Sequence, residues 1–282
     1  MQKMKIRPCA KINLGLNIVE KRADGYHNLE TVFYPVPLYD EITIEEQTAC
    51  TATTCQLTLA GQEIEGDPEK NLVVRAYRLL EDRFSLPPVH IHLTKKIPMQ
   101  AGMGGGSADG TYTLRLLNEM FSLGISSDDL ERYAATLGAD CAFFVNATPS
   151  YAEGIGELLS PIDLSLDDYY LAIVKPPIAV STREAFSQIK PRRPEKNCRE
   201  IVSQPIETWR TDLRNDFEES IFPQYPRIGE IKEQLYQLGA RYAAMSGSGS
   251  ALFGIFREKP EDLSTLFPDC FTAIEKFDRH GI

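Results

Sequence analysis

Two α+β domains are what this 282-residue sequence predicts, and three observations carry the prediction. A pair of alternating strands joined by an Asp-Gly turn opens the chain. Near the middle, a strand, a glycine-rich loop and an amphipathic helix follow one another. From about residue 160 the strand and helix patterns start afresh, and helices mixed with antiparallel hairpins mean an α+β architecture. The length agrees, since single domains usually hold about 100–150 residues. The expected division is residues 1–158 and 159–282.

In "IRPCAKINLGLNIVEKRADGYHNLETVFYPV", Ile12, Leu14, Leu16 and Ile18 alternate with Lys11, Asn13, Gly15 and Asn17. A period of two places Lys11 and Asn13 side by side on the face opposite the apolar one. Asp24-Gly25 supplies the hairpin turn. "DEITIEE" and "CQLTLAG" continue the β pattern. "DPEKNLVVRAYRLLEDRF" reads as a helix opened by Asp67-Pro68, with Val73, Ala76, Tyr77 and Leu80 on one face. "VHIHLTKKI" is an alternating strand running into "PMQAGMGGGSADG", after which Leu114, Leu117, Met120 and Phe121 keep helical spacing. A further helix over about 128–137 stops at Gly138. "ADCAFFV" reads as a short strand.

In the second half, "YYLAIVKP" is a strand and "STREAFSQI" a helix with a Ser/Thr start. "KPRRPEKNCRE" is a polar, proline-containing connection, and residues 188–212 read as variable surface. "IGEIKEQLYQLGA" carries Ile228, Ile231, Leu235 and Leu238 on one face and ends at Gly239. "RYAAMSGSGSALFGIF" gives two strands around a flexible turn, and "FTAIEKF" a last strand.

Composition narrows the function. The longest apolar run, "YYLAIV", falls far short of the roughly 20 residues of a membrane span. "MQKMKIRPCAKINL" has charge but no apolar signal core, so a cytoplasmic location is expected. Cys9, Cys50, Cys55, Cys141, Cys198 and Cys270 contain no C-x-x-C pair and read as scattered reduced thiols. A net charge of −10 argues against nucleic acid as a partner. It also means that an anionic ligand must be held by local donors.

Five glycines fall within the nine positions Gly102 to Gly110. Glycine is costly wherever it is ordered. Backbone N–H groups at a helix start are unpaired and carry partial positive charge, and glycines let phosphate oxygens reach them. The stretch therefore reads as a di- or triphosphate cradle, with a tight helix–sheet crossing as the plainer alternative. It is not a Walker A loop, since G-x-x-x-x-G-K-[ST] is missing, and Ser107 stands where a Rossmann third glycine would fall. H-R-D and D-F-G are missing too, which excludes protein kinases. His90 and His92 share a strand face but have no third ligand in sequence reach, so they read as exposed strand histidines.

"PMQAGMGGGSADG" resembles the P-x-x-x-G-L-G-G-G-S-S-D/N-A-A loop of the GHMP small-molecule kinases. Pro98, Gly102, Gly104, Gly105, Gly106, Ser107 and Asp109 match. Met103 replaces Leu, Ala108 the second Ser, and Gly110 and Thr111 the two Ala, so Ala108 is left with main-chain contacts alone. Within that family, "CAKINLGLNIVEKRADGYHNLETVF", "LGADCAFFV", "VSTREAF" and "AMSGSGSALFG" resemble, in order, the members acting on 4-diphosphocytidyl-2-C-methyl-D-erythritol. The block "RADGYHNL" is the most specific.

The resemblance implies a ribosomal protein S5 domain 2-like N-terminal half and a ferredoxin-like C-terminal half with the ligands in a cleft between. It implies transfer of the ATP γ-phosphoryl to the substrate's 2-hydroxyl, in the non-mevalonate route to isoprenoid precursors. Asp140 would accept or orient the hydroxyl proton, though turn aspartates more often cap neighbours. Lys11 would stabilise charge on the transferred group, where a lone strand lysine is otherwise a solvated edge charge. Asn13 would bind the erythritol. Tyr26 and His27 would recognise cytosine, with the division between them left open, and Phe186 would close the base's other face. Thr182 would offer a hydroxyl near the substrate. Asn71 and Lys95 match adenine-side positions, though Lys95 equally suits a solvated charge in "TKKI". Gly247 and Ser248, in the stretch to Ser250, would form a second nest of N–H groups or a plain hairpin turn.

Mg2+ is expected with ATP, but no carboxylate pattern identifies its ligands. The expected partners are small molecules, with no nucleic acid and no membrane, on a monomer or weak homodimer. The alternatives are a homoserine- or mevalonate-type GHMP kinase, whose substrates have no base to stack, and a nucleotide sensor without catalysis.

Overall fold

The structure, a computed structural model, describes residues 2–48, 53–62 and 66–277; Cys50 lies outside them. In chain order the strands and helices begin with β1 (Lys3–Ile6), β2 (Cys9–Lys21), β3 (His27–Tyr39), β4 (Glu41–Glu46) and β5 (Cys55–Gly61). Then come α1 (Leu72–Phe84), β6 (Val89–Lys95), α2 (Gly105–Met120), α3 (Ser127–Leu137) and α4 (Phe143–Asn146). β7 (Ser150–Glu153), β8 (Leu158–Pro161), β9 (Tyr170–Lys175), α5 (Thr182–Phe186), α6 (Cys198–Val202) and α7 (Ile206–Asp212) follow. The last are α8 (Phe217–Gln224), α9 (Pro226–Gln237), β10 (Tyr242–Met245), β11 (Leu252–Phe256) and β12 (Phe271–Lys276).

These elements gather into two compact units with interleaved sequence. One holds Met1–Ala10, Leu38–Met99 and Gly104–Ala147; the other holds Lys11–Pro37, Gln100–Met103 and Thr148–Ile282. The expected division at 158 and 159 follows the chain, whereas these units are groupings in space.

The first unit contains a four-stranded sheet in the order β1-β4-β6-β5. β5 and β6 are parallel and the other neighbours antiparallel. The alternation of β6 sends Val89, Ile91 and Leu93 into a core with Val73, Ala76, Tyr77 and Leu80 of α1 and Leu114 and Leu117 of α2. His90 and His92 lie on its other face with ring centroids 4.0 Å apart. α1 begins at Leu72 and is capped by Asn71, whose Oδ1 accepts the Val73 N–H at 3.1 Å. Asp67-Pro68 instead opens a separate single 3-10 turn over Pro68–Lys70, which corrects the expected start. α3 ends at Gly138 as expected. "ADCAFFV" is a turn followed by α4, not a strand. Its buried run of Phe143, Phe144 and Val145 is too short for its spacing to separate the two.

The second unit contains two four-stranded sheets, β2-β3-β7-β8 and β10-β11-β9-β12. The latter is antiparallel throughout, in the order of a ferredoxin-like half. Ile228, Ile231 and Leu235 of α9 and Phe217 and Ile221 of α8 pack with Ala172, Val174, Ala243 and Leu252. Leu238, expected on that apolar face, caps α9 and stays exposed. Residues 188–212 are not mere surface: α6 and α7 lie there, and Trp209 is 1% exposed. Helices of two turns or fewer are too short to display a 3.6-residue period. No helix among the described residues is long and apolar enough to cross a membrane.

Candidate active site

α2 starts inside the glycine stretch, at Gly105, with Gly104 as its N-cap at φ 69° and no side chain capping it. Its first amides are therefore left without the usual side-chain partner. Packing accounts for most of the glycines. At Gly102, with φ +71°, a Cβ would stand 1.8 Å from the Ser246 carbonyl oxygen. At Gly105 it would come within 3.0 Å of Ile97, and at Gly110 within 2.9 Å of Leu72. Gly106 differs: it is exposed, and its Cβ would meet nothing within 4 Å. No neighbour among the described residues requires a glycine there. Pro98 and Ala108 are buried, and Ser107 is half-buried.

Lys11 is 3% exposed, so the polar face of β2 is interior rather than a solvated edge. Its Nζ donates to Asn13 Oδ1 at 2.6 Å and lies 4.9 Å from the centre of the Phe33 ring. Asn13 Nδ2 donates to Thr31 Oγ1 at 3.0 Å, and the Thr31 hydroxyl donates in turn to the Gly15 carbonyl. The Lys11 N–H donates to the Met103 carbonyl at 3.0 Å, which joins this strand to the glycine stretch. Thr31 was missed as a site residue, although "RADGYHNLET" ends on it.

Asp140 is half-buried in the turn between α3 and α4. The turn closes with the Cys141 N–H on the Gly138 carbonyl at 3.1 Å. The Thr111 hydroxyl of α2 donates to the Cys141 carbonyl at 2.9 Å, tying the turn to the helix that follows the glycines. Burial pushes the Cys141 thiol up to about 11, so it is no nucleophile, even with Ser107 beside it.

Lys95 is not a solvated charge. It is 3% exposed, and its Nζ donates to Asp109 Oδ2 at 2.6 Å and to Asp40 Oδ2. Its ammonium is thus committed to two carboxylates. Burial works against the Lys95 charge, but its two carboxyl neighbours, Asp109 and Asp40, outweigh it and raise its pKa. The Asn71 carbonyl oxygen is taken by its helix cap. Asp40 was not singled out by the sequence.

The hairpin turn shows why "RADGYH" has these residue types. The Arg22 guanidinium grips the Asp24 carboxylate at 2.8 Å, Asp24 also accepts the Tyr26 N–H at 3.0 Å, and Gly25 takes φ 88°. Tyr26 is left 61% exposed. His27 stacks on Phe186, with centroids 4.7 Å apart and planes 19° from parallel. A base between two rings needs roughly 7 Å, twice an aromatic contact, so these two rings touch one another with no room between. Burial, helped by Lys21, lowers the His27 pKa, which keeps the imidazole neutral near pH 7. Thr182 is exposed at the first turn of α5, whose N-cap is Ser181.

The turn between β10 and β11 is held in place. The Gly249 N–H donates to Ser246 at 3.0 Å and the Ser250 N–H to Gln100 at 3.3 Å. Gly247 and Ser248 remain as the nest candidates. Asn215, also missed, pins this turn by donating to the Met245 and Gly247 carbonyls at 2.7 and 2.8 Å.

Comparison with known proteins agrees with this layout. Residues 71–148 match the family profile described as "GHMP kinases N terminal domain", and 197–265 that described as "GHMP kinases C terminal". The 4-diphosphocytidyl-2-C-methyl-D-erythritol kinase of Bacteroides fragilis is 58% identical over 260 residues, 92% of this chain and 93% of its own. That of Parabacteroides distasonis is 51% identical over 266 residues, 94% of this chain and 96% of its own. A crystal structure of 4-(cytidine 5'-diphospho)-2C-methyl-D-erythritol kinase has a TM-score of 0.78 at 29% identity, covering 98% of this chain and all (100%) of the other. A homoserine kinase from Cytophaga hutchinsonii, at 15% identity and a TM-score of 0.64, covers 98% of this chain and 94% of its own and shares the fold. The chain belongs to the GHMP kinase family.

Proposed function

We propose that this protein transfers the γ-phosphoryl group of ATP to the 2-hydroxyl of 4-diphosphocytidyl-2-C-methyl-D-erythritol, a step toward isoprenoid precursors. The observation that carries the reading is Gly106, an exposed glycine at an uncapped helix start that no packing contact explains. The amides there suit polyphosphate oxygens. The relatives at 51–58% identity bear the name of that kinase.

Phosphoryl transfer asks for positioning and charge neutralisation more than covalent chemistry. Asp140 takes or orients the proton of the attacking hydroxyl, and Lys11 stabilises the charge on the moving group. Asn13, set by Thr31, holds the erythritol. No cluster of three or more His, Cys, Asp or Glu among the described residues could cage a metal ion. Mg2+ would come with ATP and would neutralise charge on the phosphates being transferred. A cytoplasmic location and a monomer or weak homodimer belong to the same reading.

Tyr26 is the platform on which cytosine stacks, with His27 and the touching Phe186 ring as the wall beside it. Stacking of a base on an aromatic ring is worth about 1–3 kcal/mol. Tyr26→Ala should therefore raise the KM for the cytidine substrate by about 5- to 150-fold while leaving the KM for ATP alone. Equal effects on both substrates would remove Tyr26 from the base site. The function itself is tested by following ADP release with the cytidine-linked alcohol, homoserine and mevalonate as acceptors. Turnover on a simple alcohol but not on the cytidine substrate would defeat the reading.

A further inference from the structure

Beneath the start of α2, a buried charged cluster joins three segments of one unit. Asp40 is fully buried at the junction of β3 and β4. One of its oxygens accepts the N–H groups of Lys96 and Ile97, at 2.5 and 2.9 Å, and the other accepts Lys95 Nζ. Lys95, the last residue of β6, bridges onward to Asp109 Oδ2 in the second turn of α2. Its Nζ would lie only 3.3 Å from a Cβ on Gly105, the first helical residue. The network thus fixes both the residues entering the glycine stretch and the helix leaving it.

One ammonium here faces two carboxylates, all of them buried, and an excess negative charge in such a place is costly. Asp109 Oδ1 is buried with no hydrogen-bond partner among the described residues. The loop pattern that this chain resembles accepts Asp or Asn at this position, and the two differ little except in charge.

We propose that Asp40, Lys95 and Asp109 act as one positioning unit for the ATP site, in which an Asp40–Lys95 ion pair anchors the entrance of α2 and Asp109 joins as a neutral carboxyl. This rests on the reading of the glycine stretch as the ATP phosphate site. The charged groups that face Asp109 are Lys95 from β6 and Asp40 beside β4. Burial is the main cause raising the Asp109 pKa to about 8, with Lys95 pulling it back and Asp40 adding to it. Above that pH a second buried carboxylate ionises and the helix entrance loosens its fit to phosphate.

The test is steady-state kinetics on the full chain from about pH 6 to about pH 9.5. In the wild type the KM for ATP rises by up to about tenfold per pH unit above about pH 8, while kcat and the KM for the alcohol keep their own course. Asp109→Asn abolishes the rise. Asp40→Asn leaves Lys95 to an ionised Asp109, so it raises the KM for ATP about tenfold near pH 7, keeps kcat within about twofold and also loses the alkaline rise. A flat wild-type profile, a rise that survives Asp109→Asn, or equal damage to kcat and both KM values in Asp40→Asn overturns the proposal. Should Asp40→Asn fail to fold, the first two profiles decide.

Stability gives a second readout. Between the ordinary carboxylate range and about pH 8, the folded chain holds a proton on Asp109 that the unfolded chain has lost. Stability therefore falls as pH rises through that window, and Asp109→Asn removes this fall. An enzyme that never turned over the cytidine substrate would sink the functional reading instead. ATP affinity by titration calorimetry would then carry the same pH comparison.

Discussion

Asp140→Asn lowers kcat by about 10³ and leaves the KM for ATP within about twofold. That is a loss of about 4 kcal/mol in the transition state. Asparagine keeps the size of the side chain and an acceptor oxygen but cannot take a proton. The bonds that close the turn holding it, from Cys141 to Gly138 and from Thr111 to Cys141, run through other residues. The amides at the start of α2 are equally untouched, so ATP still binds. Single-turnover rates beside an ATP titration separate the two quantities. Activity within a few-fold of wild type would mean that Asp140 does not accept the proton.

Two glycines in one loop should answer the same substitution in opposite ways. Gly102→Ala drives a Cβ into the Ser246 carbonyl and imposes φ +71° on an L-residue. The left-handed backbone costs about 1–2 kcal/mol and the overpacking about 1–3 more, so urea unfolding should show a loss of about 2–5 kcal/mol. Gly106→Ala meets nothing and relieves the entropy cost of a helical glycine, a gain of about 0.5–1 kcal/mol. A phosphate seated on this helix start would be crowded by the new methyl, however, and a lost charge-assisted bond to phosphate costs about 1.5–3 kcal/mol. kcat/KM for ATP should fall roughly 10- to 100-fold in a protein that is more stable than wild type. If Gly106→Ala bound ATP normally, the phosphate would have to lie elsewhere.

Periodicity carried most of the long elements. β2, β3, β6, α1, α2, α3 and α9 follow spacings that repeat over two or more turns or several strand residues. Short segments escaped it. The apolar run at 141–145 fits a strand and a helical turn equally, and α6 to α8 are too brief to show a face. Asp67-Pro68 has the chemistry of a helix start, but its cap serves the 3-10 turn, and Asn71 takes over four residues later.

The site was legible where its residues lie close in sequence. Lys11 and Asn13 are two apart on one strand and do meet. Strand alternation separates faces but does not say whether the polar face meets water, so the burial of Lys11 was invisible. Lys95 finds its partners 55 and 14 positions away, a distance no local pattern reports.

The interleaved units bear on the order of synthesis. The hairpin of β2 and β3 leaves the ribosome early, yet β3 pairs with β7 at Ser150–Glu153 and Leu16 of β2 hydrogen-bonds Arg214. At about 5–20 residues per second those partners emerge roughly 5–35 seconds behind the hairpin. Through that interval a long two-stranded ribbon waits with unsatisfied edges, the hazard that nascent-chain chaperones exist to cover. A fragment ending at residue 158 would keep β7 but lack every later partner, and its failure to dissolve would say little about the finished enzyme.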